Sequence, residues 1–350
     1  KGYSPAEDNP ELFHGIGPFQ TSDGKVEKFD ALSFTEAFSN IIVEEGLKNS
    51  KIACITAAMA KGTGLTAFSH KFPDRFFDVG IAEQHAVTFA GGLAEGGIIP
   101  VVCIYSTFIQ RAVDQIIHDI ALQNAHAIFM LDRSGAVPDD GVTHQGIFDI
   151  SLFKSVPQVQ ILSPSSAVDL ALCFKWALNK GKSVIIRYPK LSCPEEISQF
   201  NETVEVGKGI FISCESLFPK NTKLPSAKNR ILIVATGGMF TEVNQAVTTL
   251  EKDKIYSDIF MLRFIKPFNK EYFLEIAKKY KGVVFVEDAV DIGGISEEIN
   301  NILLENGYKN NRILAFKDKF YEHGTRAQIL EQAGLSPSNI VKAVKELADA

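Results

Sequence analysis

From residue 51 onward, short apolar runs alternate with amphipathic segments. Runs at 51–57, 76–80, 98–105, 125–132, 158–162 and 183–188 have strand length, and the segments 82–95, 107–123 and 166–179 carry apolar residues at helical spacing. Ahead of them, Ser33 and Glu36 form a capping-box pattern, with Phe34, Phe38, Ile41 and Ile42 following on one helical face. Such alternation predicts a mostly parallel sheet with helices on both sides. The rhythm stops after residue 188, and a polar excursion occupies residues 215–229. A second alternation then begins, with strands at 230–236, 258–264, 282–287 and 312–316 and helices at 240–252, 269–280, 295–306 and 336–348. The pattern predicts an α/β chain of two mostly parallel-sheet, three-layer domains. Residues 1–28, rich in Pro, Gly, Asp and Lys, read as an extended linker; 29–190 form the first domain, 191–229 a crossing segment, and 230–350 the second domain.

Composition narrows the partners. A 350-residue chain with 45% hydrophobic residues can bury two cores, and a net charge of −6 gives no general attraction to nucleic acid or anionic lipid. An anionic substrate therefore needs local cations. The five cysteines (Cys54, Cys103, Cys173, Cys193 and Cys214) are scattered and never spaced as CxxC, which argues against a disulfide framework or a zinc site and for a reducing cytoplasm. No apolar run approaches the roughly 18 residues of a membrane span. The chain begins at Lys1, and with its linker-like start it is expected to continue a longer polypeptide.

Parallel sheets present ligands at the carboxyl ends of their strands, so the residues there are the first candidates. In Asp78–Ala86, DVGIAEQHA, a strand gives way to a helix whose first turn holds Glu83. That carboxylate serves either the helix dipole or a ligand. In Tyr105–Gln115, YSTFIQRAVDQ, Arg111 and Asp114 stand three apart, as a surface ion pair or as part of a site, and Phe108 is either core or a stacking surface. The loop Leu131–Gly146, LDRSGAVPDDGVTHQG, is too long for a plain connector and supplies Arg133, Asp140 and His144. Arg187 in VIIRYP ends the last strand of the first domain, either to fork onto a phosphate or to make an ion pair at the domain interface. Gly237 and Gly238 offer a phosphate cradle or a simple tight turn.

GIAEQHA, YSTFIQRAVDQ, DGVTHQG and RYP, in this order and spacing, resemble the pyrimidine-binding domain of the 1-deoxy-D-xylulose-5-phosphate synthase family of thiamine-diphosphate enzymes. KGYSPAEDNPELFHGIGPF resembles that family's linker from its first domain, and RFIKPF and FYEHGTRAQILEQAGLSP its transketolase-like carboxy-terminal domain. The resemblance implies that Glu83 holds the far ring nitrogen of the aminopyrimidine and so promotes formation of the thiazolium ylid. It implies Phe108 stacked on the ring, with Ile81 and Arg111 beside the cofactor. Tyr105, Arg133, Asp140 and Arg187 would bind the phosphorylated acceptor, and His144 and the linker histidine His14 would act near the reacting atoms. The implied reaction is the condensation of pyruvate with D-glyceraldehyde 3-phosphate, with loss of carbon dioxide, by a cytoplasmic homodimer that feeds isoprenoid, thiamine and pyridoxal synthesis.

Within the motifs, Pro138 and Asp139 stand where the family has small residues, and Lys190-Leu191-Ser192 replaces an Arg-Gly continuation. The Gly-Asp-Gly stretch followed by asparagine that holds magnesium and diphosphate is absent from the sequence. The Mg2+ ligands are therefore expected in a missing amino-terminal domain, and this portion alone is expected to be inactive. Two other readings fit the same residues: a beta-type subunit of a 2-oxoacid dehydrogenase or a split transketolase, and a non-catalytic binding module of the same fold.

Overall fold

The structure is a computed structural model that describes residues 2–10, 13, 21–22, 31–218, 222 and 224–350. Residues Lys1–Leu32 form one contact unit and Ser33–Ala350 another. In the first, the short helix Ser4–Asp8 has a proline in its opening turn, where the missing N–H costs nothing. The Tyr3 ring meets Phe13 edge-on at 5.8 Å, and its hydroxyl donates to the Thr21 carbonyl at 2.9 Å. His14 lies outside the described residues.

The second unit holds two sheets. The first contains β1 (Ile52–Thr56), β2 (Phe76–Asp78), β3 (Ile99–Tyr105), β4 (Ile128–Asp132), β5 (Gln160–Leu162) and β6 (Val184–Arg187). The second contains β7 (Ile210–Ile212), β8 (Ile231–Thr236), β9 (Ser257–Leu262), β11 (Gly282–Val290) and β12 (Asn311–Phe316), while β10 (Phe264–Lys266) returns to the first. The strand orders are β10-β5-β6-β4-β3-β1-β2 and β12-β11-β8-β9-β7, parallel except at β10 and β7. Strands β1, β4, β6, β8, β9 and β11 are buried at every residue, the consequence of helices covering both faces and the reason they read as mostly apolar runs, with the buried charges Asp132, Arg187, Asp258, Glu287 and Asp288 at or near their ends.

The capping box at Ser33 is present. Its Oγ accepts from the Glu36 N–H at 3.2 Å, and Glu36 Oε2 accepts from the Ser33 N–H at 2.9 Å, opening the helix Phe34–Lys48. That helix buries Phe38 and Ile42 against Phe174, Tyr188 and the apolar face of β1, where each fully buried large side chain contributes roughly 1.5–3 kcal/mol.

Three elements differ from expectation. The run at 258–264 is two strands, because the buried Arg263 breaks it and donates from Nε to Asp169 Oδ1 at 2.7 Å, in the helix Ala167–Leu178. Phe264 then pairs with Leu162, antiparallel. The expected helix at 107–123 is broken into the turns Ser106–Ile109, Gln110–Ala112, Val113–Gln115 and Ile116–Ala121, the last with π geometry; Ala112, at φ −117° and ψ 22°, interrupts the α-helical path. The segment 191–229 contains the edge strand β7, whose three residues are too few to show a period.

Candidate functional site

The parallel order sets the carboxyl ends of β6, β4, β3, β1 and β2 in a row, at about 4.8 Å per strand. Most of the candidate residues stand on that edge. After β2, Asp78 Oδ1 accepts from the N–H groups of Ala58 at 2.8 Å and Gly80 at 3.0 Å, which shapes the turn into the helix Glu83–Glu95. Glu83 in its first turn is 1% exposed, and Arg111 Nη1 donates to its Oε1 at 2.5 Å. A carboxylate serving only the helix dipole works at the surface; burying one costs free energy that a partner must offset. Arg111 therefore pairs with Glu83 across the fold, and the surface pair with Asp114 suggested by their spacing is replaced by it. Ile81, two residues ahead, is 79% exposed in the turn.

Phe108 connects this pair to the neighbouring strands. The Arg111 guanidinium lies 4.8 Å from its ring centroid, the Tyr105 ring stacks at 5.9 Å and 21°, and the His144 ring meets it edge-on at 5.2 Å. The Arg133 guanidinium in turn sits 3.8 Å from the Tyr105 ring centroid. Glu83, Arg111, Phe108, His144, Tyr105 and Arg133 are thus one continuous set of contacts. Burial pushes the Tyr105 phenol up, so it remains a hydrogen-bond donor.

Arg133 adopts a left-handed backbone, φ 62°, uncommon for a side chain of this size and of the kind that clusters at functional sites. Its Nη1 donates to the Gly62 carbonyl at 2.7 Å and to Asp132 Oδ1 at 3.1 Å. Asp132 is fully buried; burial raises its carboxyl to about 6, against the opposing pull of Arg133 and the Thr35 hydroxyl at 2.7 Å.

The loop that follows is closed at its base by paired backbone hydrogen bonds between Gly135 and Gly146, at 2.7 and 3.0 Å. The Gln145 amide clamps Val137, accepting from its N–H at 2.9 Å and donating to its carbonyl at 3.0 Å. Only glycine fits at 146, since a Cβ there would stand 2.1 Å from the Arg133 carbonyl oxygen. The loop carries His144, whose Nδ1 lies 3.0 Å from the Thr143 hydroxyl, and Asp140, whose Oδ2 accepts from Lys190 Nζ at 2.7 Å.

Arg187 is 1% exposed. Its Nε donates to Asp149 Oδ2 at 2.8 Å, its Nη1 to Asp288 Oδ1 at 2.5 Å and its Nη2 to the Asp288 carbonyl at 3.5 Å. Burial alone would favour losing the proton, but the two carboxylates outweigh it and hold the guanidinium above its ordinary value. This is the ion-pair arrangement between the two sheets, and it leaves no donor of Arg187 facing solvent. The glycines after β8 likewise serve close packing. A Cβ on Gly237 would meet the Pro164 carbonyl at 2.2 Å, and one on Gly238 would meet Asp288 Oδ2 at 2.3 Å. The Gly237 N–H that a phosphate cradle would use donates to the Ser163 hydroxyl at 3.0 Å. Glu287 accepts from the N–H groups of Ile295 and Ser296, at 3.0 and 2.8 Å, and so caps the helix Ile295–Glu305.

Sequence reasoning missed Asp132, Asp149 and Asp288. Asp132 is the second residue of the quoted loop motif and Asp149 lies three residues past its end, so only proximity to the motif could have signalled them; Asp288 lies in no quoted motif. A separate cavity of about 490 Å³ lies between the helix Asp149–Phe153 and the carboxyl end of the second sheet, with Leu152, Ile292 and Phe320 among its walls. It contains none of the candidate residues. Among the described residues, no three His, Cys, Asp or Glu side chains converge as a metal site, and no helix is long and apolar enough to cross a membrane.

Residues 30–195 match the family model described as "Transketolase, pyrimidine binding domain", and residues 220–340 match "Transketolase, C-terminal domain". The chain is 51% identical over 341 residues to the 1-deoxy-D-xylulose-5-phosphate synthase of Treponema pallidum (strain Nichols), covering 97% of this chain and 52% of that protein. It is 38% identical over 355 residues to the synthase of Natranaerobius thermophilus, covering 98% of this chain and 53% of that protein. The chain thus spans about half the length of the curated relatives it matches. Among solved structures it is similar to a split gene transketolase described as an inactive beta4 tetramer, with a TM-score of 0.76, 27% identity, and coverage of 91% of this chain and 99% of that one.

Proposed function

Because the chain belongs to the 1-deoxy-D-xylulose-5-phosphate synthase family of transketolase-like proteins, carrying its pyrimidine-binding and carboxy-terminal domains, we propose that it forms the pyrimidine-binding part of an enzyme that condenses pyruvate with D-glyceraldehyde 3-phosphate. Carbon dioxide is lost, and the product is 1-deoxy-D-xylulose 5-phosphate. The observation that carries this reading is Glu83: a buried carboxylate at a helix start, joined through Arg111 to the face of Phe108.

That donor set fits an aminopyrimidine, which offers a flat face and a ring nitrogen able to bond a carboxylate. Glu83 would hold the ring nitrogen and govern its protonation, Phe108 would orient the ring, and Ile81 and Arg111 would border it. Thiamine diphosphate, when bound, supplies the nucleophilic carbon that accepts the pyruvate acyl carbon and permits decarboxylation. Arg133 and Tyr105 would receive the acceptor's phosphate, a role suited to a guanidinium whose buried Nε has no partner among the described residues. His144, beside Phe108, would hold or move a proton at the reacting carbonyl, with Asp140 on the same loop. Arg187 enters as the support of that wall, through Asp149 and Asp288. The chain spans about half the length of the curated relatives it matches, and the magnesium and diphosphate ligands are proposed to come from a further domain or subunit, in a cytoplasmic homodimer.

The test uses the complete enzyme with thiamine diphosphate and magnesium, following release of carbon dioxide from pyruvate in the presence of D-glyceraldehyde 3-phosphate. Glu83→Gln keeps the shape and is expected to lower turnover by about a hundredfold or more. Parental turnover in that variant would remove Glu83 from the chemistry.

A further inference from the structure

The loop Arg133–Gly146 leaves the first sheet, yet it is held from the second. Arg326 opens the helix Arg326–Ala333 and is buried. Its Nε donates to Glu242 Oε1 at 2.8 Å, its Nη1 to the Ala136 carbonyl at 3.2 Å, and its Nη2 to the Gly238 carbonyl at 2.9 Å. One guanidinium thereby joins the loop, the turn after β8 and the helix Phe240–Lys252. Two residues earlier, the Gly324 carbonyl accepts from the Asp139 N–H at 3.1 Å. A rigid planar fork can satisfy three acceptors in these directions at once, and an ammonium on a flexible stem cannot.

The loop has little slack for such a brace to act on. Its base is fixed by the Gly135 and Gly146 hydrogen bonds and its middle by Gln145, so Ala136 is held one residue from the base, opposite the arm carrying His144. Ala136 adjoins Val137, which the Gln145 amide holds beside His144, and Asp139, bonded to the Gly324 carbonyl, adjoins Asp140. The motif HGTRAQ that holds Arg326 lies far from every other candidate in sequence, 190 residues from Ala136.

We propose that Arg326 is a positioning residue for the acceptor substrate, through which the second domain fixes the loop that carries Asp140 and His144. The proposal rests on the reading of that loop as the acceptor wall. Arg326→Lys and Arg326→Met, made in the complete enzyme with thiamine diphosphate and magnesium, test it by hydrogen exchange and steady-state kinetics. The lysine variant retains a cation for Glu242 and remains informative where methionine fails to fold.

The amides of Gly135, Val137 and Gly146 are expected to exchange about tenfold faster, while those of Ile231–Thr236 stay at parental rates. The apparent KM for D-glyceraldehyde 3-phosphate is expected to rise about tenfold, with that for pyruvate changed less than about twofold. Parental exchange in the loop of the lysine variant would overturn the brace. Faster exchange in β8 as well would overturn it in favour of a role in fold stability alone. A loosened loop with both KM values unchanged would leave the brace standing and refute the loop's part in acceptor binding.

Discussion

Arg187 of the first sheet and Asp288 of the second stand 2.5 Å apart, Nη1 to Oδ1, and neither side chain reaches solvent. Asp149 takes the other edge of the same guanidinium, while Thr236 and Ser134 donate to the two carboxylates at 2.6 and 3.0 Å. Both oxygens of Asp149 are occupied, and Asp288 Oδ1 accepts twice, while the buried Asp288 Oδ2 has no hydrogen-bond partner among the described residues, so this carboxylate depends on the Arg187 charge to survive burial. Arg187→Met leaves both carboxylates without a counterion and is expected to lower the free energy of unfolding by about 3–5 kcal/mol in urea titration. A loss below about 1 kcal/mol, combined with a large rise in the acceptor KM, would instead assign Arg187 to phosphate recognition.

Asp132 predicts a pH dependence. Its folded carboxyl titrates at about 6, above the ordinary 3.8, so as pH rises the unfolded chain releases this proton first. The group therefore costs stability progressively between about pH 4 and 6 and contributes a constant penalty above that range. A shift of this size corresponds to on the order of 3 kcal/mol. Asp132→Asn should gain on the parent by roughly 2–3 kcal/mol between pH 4 and 6.5 in denaturant titrations. Parallel stability curves for the two proteins would show that the carboxyl is not the group responsible.

Two glycines should respond in opposite directions. Gly146→Ala forces a methyl toward the Arg133 carbonyl and the Ser106 side chain, and is expected to cost about 1–3 kcal/mol. Gly92, in the helix Glu83–Glu95, has nothing within 4 Å of the place an added methyl would take, and Gly92→Ala should stabilise by about 0.5–1 kcal/mol. Thermal unfolding of both variants checks the pair, and equal shifts would contradict the geometry.

Lys190 offers a contrast with Arg187. Its pair with Asp140 is about one-third exposed on both sides, so Lys190→Ala should change stability by less than about 1 kcal/mol. If Asp140 helps to seat the acceptor, the same variant should raise the apparent KM for D-glyceraldehyde 3-phosphate without moving that for pyruvate. A matched change in both would detach this ion pair from acceptor binding.

Local signals in the chain were readable where one short stretch contains the whole cause. Ser33 and Glu36 announce their helix because both halves of the capping box lie within four residues. Glu83, Phe108 and His144 stand at strand ends that the apolar runs mark, and the fold brings all three to one edge. Partnership is another matter. Arg111 stands three positions from Asp114, yet the broken helical path gives it to Glu83, 28 residues away. Arg187 finds Asp288 at a separation of 101 residues, where no periodicity carries information. The split at Arg263 was hidden for the same reason: its cause, Asp169, lies 94 residues earlier.

The antiparallel strand β10 gives the first sheet an edge drawn from the far half of the polypeptide, with Phe264 paired to Leu162 and its ring against Trp176 at 5.1 Å. A recombinant piece ending near residue 195 would bare the hydrogen-bonding edge of β5 together with the indole, a combination that invites self-association. Expression of the pyrimidine-binding module by itself calls for co-production of the second module, or for a grafted copy of Phe264–Lys266 to close that flank.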